Sequence, residues 1–402
     1  MTARFRRTLF ITLTILFFVI GTALIFYSQG ARFDFKKWDI VQTGGIYLKS
    51  EPADALIEMD GEPIENKSGL LQSGTLINNL KPGIYKIVIN KNDYHPWEKE
   101  VRVTSSTVAV FDGIILFPKQ KPELVASSTN KDKFYLEYDG EIISDLESAN
   151  LKLLFNTLKE KQLRLPGAVS INRILPYPYN DRKFIVMTDR ALYSLDTERN
   201  TVFQINPRAK DFALAGNEVF WFNEKGLFSF NLILRNQSQI NPPQELKITE
   251  WSKIELSPSG EIAAILKKDN ELIIWDRSTG KVTSLGKSIT HFVFSPDSKK
   301  IAFATEAGSL SVYGIKDGAN KEKYILENIT DRWSGIEKIL WHEDNNYLFL
   351  EDGNSSLYYI EANDSPPVNV VEAATEVRNF FYNKGDDSLY FEDNQGVWRV
   401  KL

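Results

Sequence analysis

The sequence predicts an all-β chain behind one N-terminal helix, ending in a ring of repeated four-stranded units. Three observations predict it. A strand-and-turn pattern is written twice between Ser252 and Gly318, it returns more weakly through the C-terminal two thirds, and an uncharged apolar run stands near the N-terminus. The first full copy reads I-E-L-S-P-S-G-E-I-A-A-I from Ile254 and L-I-I-W-D-R-S-T-G from Leu272; the second reads F-V-F-S-P-D-S-K-K-I-A-F from Phe292 and L-S-V-Y-G-I-K-D-G from Leu310. Period-two alternation broken by Ser-Pro, Gly and Asp turns is the signature of short antiparallel strands. Marked by their first strands, the units start near Ile171, Asp211, Ser252, Thr290, Ile336 and Val377. A period of about 40 residues with three or four strands is that of a β-propeller blade.

The last unit ends on its third strand, at Val397-Trp398-Arg399-Val400, where the chain stops. An open ring would expose strand edges. An early segment, Ile114 to Phe117 or Leu124 to Ala126, is therefore expected to supply the missing outer strand. The propeller is assigned to residues 123–402; its length favours seven blades, with a degenerate first blade at Phe134 to Phe155, and six is the alternative.

Thr8 to Tyr27 is uncharged and mostly apolar, long enough at helical rise to match a bilayer core. It is expected to form a transmembrane helix over 8–27, with the lipid bilayer as its partner. Arg4, Arg6 and Arg7 make residues 1–7 a basic tail, which the positive-inside rule places in the cytoplasm, with 28–402 extracytoplasmic. A cleaved signal peptide ending before Ala31 is the competing reading.

After a juxtamembrane linker at 28–43 comes a small β-sandwich at 44–106, then a connector at 107–122. Asp60-Gly61 supplies a tight hairpin turn, and Tyr85, Ile87 and Ile89 alternate after Pro82-Gly83. The set Ser50, Pro52, Ala55, Ile57, Asp60, Gly61, Leu80, Gly83, Tyr85, Ile87, Ile89, Tyr94, Trp97, Val101 and Val103 resembles the PEGA domain of bacterial and archaeal surface proteins. That resemblance implies a spacer or interaction module without catalytic residues. The glycine usual before the alanine is replaced near Asp54. Ser295 to Phe303 is in turn similar to the WD40-like repeat of TolB-type propellers, with Ser257-Pro258-Ser259-Gly260 a looser match; this speaks to fold rather than function.

The chemistry-bearing residues are sparse. No cysteine is present, which removes disulfides, thiolate zinc sites and thiol catalysis; a net charge of -5 excludes a nucleic-acid footprint. His95, His291 and His342 are far apart, and no nucleophile elbow, HExxH, P-loop or dinucleotide fingerprint occurs, so no cofactor, metal or catalytic residue is assigned. The turn carboxylates Glu343-Asp344 and Asp386-Asp387 fall where Asp is favoured for backbone reasons. Trp221, Trp275 and Trp398 lie inside strands and are expected between blades. Trp333, flanked by Asp331 and Arg332, stands in the loop of the longest interval and is the candidate contact for a glycan or protein, against a loop aromatic folded over the core. The expected function is an extracytoplasmic binding or scaffold protein docking a protein or envelope glycan. The alternatives are a propeller hydrolase or lyase and a self-assembling surface coat.

Overall fold

The computed structural model describes residues 3–28, 30–34, 38–68, 73–119, 121–127, 165, 171–177, 180–189, 191–196, 198–315, 323–325, 333–363 and 365–402. The expected degenerate blade at 134–155 lies outside the described residues. The chain divides into two compact units, one of residues 1–119 with 365–369 and one of 120–364 with 370–402.

The first unit begins with a helix, Ala3–Ser28. The expected span over 8–27 is corrected: among the described residues no helix is long and apolar enough to cross a membrane. The bilayer partner and the placement of 1–7 inside and 28–402 outside fall with it.

Two sheets then share one core. One orders Glu62–Ile64, Leu56–Met59, Gly83–Asn90 and Trp97–Val103; the other orders Thr75–Leu80, Gly44–Glu51 and Val108–Ile115. Ile46 and Leu48 from one meet Ile57, Ile87, Ile89, Trp97, Val101 and Val103 from the other, all buried. The Asp60-Gly61 turn has positive φ at both residues (52° and 85°), the geometry a two-residue hairpin of matching twist requires. Part of the expected connector at 107–122 is a strand: Val108–Ile115 pairs in parallel with Gly44–Glu51, and Ile114 is buried in the core. Its V-A-V-F-D-G-I-I run buries only one strand end, so periodicity alone does not reveal it.

The second unit holds six four-stranded antiparallel sheets among the described residues, the meander of propeller blades. Blades 1 to 5 begin with Ile171–Tyr177, Asp211–Ala215, Trp251–Leu256, Ile289–Phe294 and Ile336–Trp341, each followed in order by its other three strands. Blade 6 contains Asn379–Asn383, Ser388–Glu392 and Gly396–Lys401, and its outer strand is Glu123–Ser127. The chain thus mixes its two ends in one sheet, using the second of the two candidate segments. Gly396 is required there, since a Cβ would lie 2.1 Å from the Ala126 carbonyl oxygen.

Cores form between blades. Trp221 packs with Ile185, Met187 and Leu192 of blade 1, and Trp275 of blade 3 joins Phe220 and Phe222 of blade 2. Seams of hydrogen bonds join the turns that link first to second strands. Ser298 Oγ accepts from the Ser259 amide at 2.9 Å, and Asn345 Oδ1 accepts from the Asp297 amide at 2.9 Å. His342 Nε2 lies 3.3 Å from Asp387 Oδ1.

Candidate functional site

The first strands of five consecutive blades line one cavity of about 300 Å³, with Arg173, Leu175, Ala213, Lys253, Glu255, His291, Val293, Lys338 and Leu340 in its wall. Four of these strands carry a β-bulge at the same place. The register slips between Ile171 and Arg173, Trp251 and Lys253, Ile289 and His291, and Ile336 and Lys338. A bulge re-aims the side chain that follows it, and in each blade that side chain is cationic or a histidine at the cavity. Asp211 and Asn379 open the first strands of blades 2 and 6 at the corresponding position.

The next residue in each strand is apolar and buried, and it alternates by blade: Ile174, Phe212, Ile254, Phe292, Ile339 and Phe380. Each odd-numbered blade sets its cation over the following blade's phenylalanine. Arg173 lies 5.3 Å from the Phe212 ring, Lys253 5.1 Å from Phe292 and Lys338 4.8 Å from Phe380. Cation–π contacts and Coulomb pairing act together here.

Arg173 Nη1 donates to Asp211 Oδ1 at 2.8 Å and to the Phe212 carbonyl, while Nη2 lies 3.5 Å from Glu255 Oε1. Asp211 Oδ2 accepts from the Ile254 amide at 2.8 Å, and Lys253 Nζ is 2.5 Å from Glu255 Oε1. Burial raises the Asp211 carboxyl above its ordinary range, and the Arg173 guanidinium counters it. Lys338 Nζ donates to the Phe380 carbonyl at 2.5 Å and reaches Asn379 Oδ1 at 3.3 Å. His291 is kept neutral: burial lowers its pKa and outweighs the Glu337 carboxylate, with Lys253 adding to the depression, and Nδ1 is buried without a hydrogen-bond partner in the structure.

His342 sits elsewhere, in the turn at the end of the first strand of blade 5. Its amide bonds the Tyr347 carbonyl and the Asn345 amide returns to it, as Ser295 does with Lys300 and Ser298. Ser295 Oγ donates to Asp297 Oδ1 at 2.6 Å; His342 Nδ1 faces Asp344 Oδ1 at 2.9 Å. Burial alone would lower its pKa, but Asp344 and then Asp387 outweigh it and raise it. His95 belongs to the other unit, where its ring lies 6.3 Å from Phe117. Among the described residues no group of three histidines or carboxylates could hold a metal ion.

The sequence-derived candidate is placed differently from the cavity. Trp333 is 6% exposed and packs on Tyr358 at 5.8 Å, the folded-over arrangement that competes with a contact role. Arg332 and Asp331 lie outside the described residues. The cavity register was missed, although its bulges leave a trace: I-N-R-I, W-S-K-I, I-T-H-F and I-E-K-I each put two polar residues where alternation allows one.

No protein-family model matches the chain, and no curated protein does. The PEGA and TolB-type resemblances therefore rest on the quoted residues alone. Among solved structures, a chain of a mitotic checkpoint complex is similar at 14% identity over 60% of this chain and 77% of that one, with a TM-score of 0.45. The Cps50 (Swd1) β-propeller domain of Myceliophteria thermophila is similar at 11% identity over 58% and 84%, with a TM-score of 0.44. The propeller assignment itself rests on the sheet topology.

Proposed function

We propose that the propeller is a docking platform for a protein partner, which presents a polar loop or chain end to the cavity between the first strands. The observation that carries this is the repeated bulge that turns Arg173, Lys253, His291 and Lys338 toward one cavity. Such a cavity offers convergent polar groups on a stiff apolar collar, which suits recognition. Catalysis is less well supported. The acids at the cavity, Asp211 and Glu255, are both bridged to Arg173, and His291 has neither beside it as a proton-transfer partner in the contacts of the structure.

The test uses the full chain and its K253E/K338E variant, immobilised and exposed to an extract of the native cell before and after protease treatment. The reading expects one protein to be retained, retention to vanish after protease, and the variant to bind at least ten-fold more weakly. Undiminished binding by the variant, or ligand surviving protease, would overturn it. A second reading rests on Ile233 and Leu234, 69% and 71% exposed at a hairpin tip of blade 2, close in sequence to Arg235, which lies over the exposed Phe203 ring. Exposed apolar pairs of this kind mark rim contacts, and I233D/L234D tests them in the same assay.

A further inference from the structure

Strand Trp97–Val103 ends its sheet, so among the described residues one of its edges has no strand beside it. Its residues 97, 99, 101 and 103 face the core and are buried, and the second of them is a lysine. Lys99 is 0% exposed among Trp97, Val101 and Val103. A buried ammonium is costly unless every proton finds an acceptor, so its position calls for carbonyls.

Residues 365–369 of the same compact unit supply them. Lys99 Nζ donates to the Ser365 carbonyl at 2.5 Å and the Pro367 carbonyl at 2.9 Å, and between these the Glu100 amide donates to the Pro366 carbonyl at 2.9 Å. Three successive carbonyls thus accept from one strand. The sequence there is Ser-Pro-Pro-Val-Asn, and the two prolines have no N–H to leave unsatisfied against a donor-rich edge. Asn369 then stands in for a backbone amide. Its Nδ2 donates to the Glu98 carbonyl and its Oδ1 accepts from the Glu98 amide, both at 3.0 Å.

We propose that the outer edge of Trp97–Val103, with Lys99, is a binding site for a short peptide of the class Pro-Pro-x-Asn, and that Ser365–Asn369 is its resident occupant. Recognition is by the outward amides and carbonyl of Glu98 and Glu100 together with Lys99 on the strand, and by the asparagine on the peptide.

The test replaces Ser365–Asn369 in the full chain by a Gly/Ser run of equal length and titrates a fluorescein-labelled peptide of residues 363–371, read by anisotropy. The vacated chain should bind it saturably. The intact chain, a K99M version of the vacated chain, and a peptide carrying N369A should each bind at least ten-fold more weakly. Absence of saturable binding by a vacated chain whose circular dichroism and unfolding midpoint match the intact chain would overturn the proposal, as would equal binding of the two peptides. Should the replacement unfold the chain, hydrogen exchange on intact N369A decides: at least ten-fold faster exchange at the Glu98 amide is expected, and an unchanged rate contradicts the site.

Discussion

His291 lies in the first strand of blade 4 and His342 in the turn just after the first strand of blade 5, yet their surroundings drive them in opposite directions. His291 stands at the cavity, where burial and Lys253 hold it neutral. His342 stands in a turn between Asp344 and Asp387, where two carboxylates raise its pKa against burial. The cavity register uses cations and their acceptors to line a space, while the turn register uses short side chains to tie one blade to the next. The lesson is that a repeated backbone offers each blade the same two positions, and the residue placed there decides whether it lines the cavity or ties neighbouring blades.

Removing the central cation of the cavity should have the largest effect. R173M leaves Asp211 buried without its partner and should cost about 3–5 kcal/mol by urea denaturation at neutral pH, a penalty of the size seen when one member of a buried pair is removed. Adding D211N should recover part of it; full additivity of the two would break the pairing.

Next comes the turn. H342S restores the residue that Ser257 and Ser295 provide in the two preceding blades, and should cost about 2 kcal/mol in acid, the range of a charge-assisted hydrogen bond. Because the folded pKa of His342 is raised, its contribution is complete below the unfolded value of about 6.5 and is lost as pH rises through the folded one. The gap between wild type and variant should therefore close on going alkaline. S295A, which removes a neutral hydroxyl from the equivalent turn, should cost about 1 kcal/mol with no such pH dependence.

The smallest effect belongs to His291. Its folded pKa is depressed, so the unfolded chain takes up a proton first and stability falls as pH drops below about 6.5. H291N should remove that acid-side decline and leave the alkaline curve unchanged; histidine resonances followed by NMR should titrate in the order His291 before His342 from low pH.

Much of this fold was legible. The Ser-Pro turns, the 40-residue period and the strand missing after Val400 led to the blades, to their starts within two residues, and to two candidates for the outer strand, of which Leu124 to Ala126 is the one used. What escaped was long-range or broke the period. Bulges hid the cavity register by inserting Asn172, Ser252, Thr290 and Glu337 ahead of the side chains that matter. Lys99 interrupts an otherwise apolar face, but its reason lies 266 and 268 residues away. Trp333 drew attention as a large aromatic in a long loop, and the hydrophobic gain of covering an indole is what folds it against Tyr358.

The claim that partner docking occurs at the cavity is tested most directly by a photo-crosslinking amino acid placed at Leu340 in the cavity wall and, separately, at Leu234 on the rim. Irradiation in the native cell should yield one protein adduct from position 340 that disappears in the K253E/K338E background. Adducts from position 234 alone, or an adduct at 340 indifferent to those two lysines, would contradict the account.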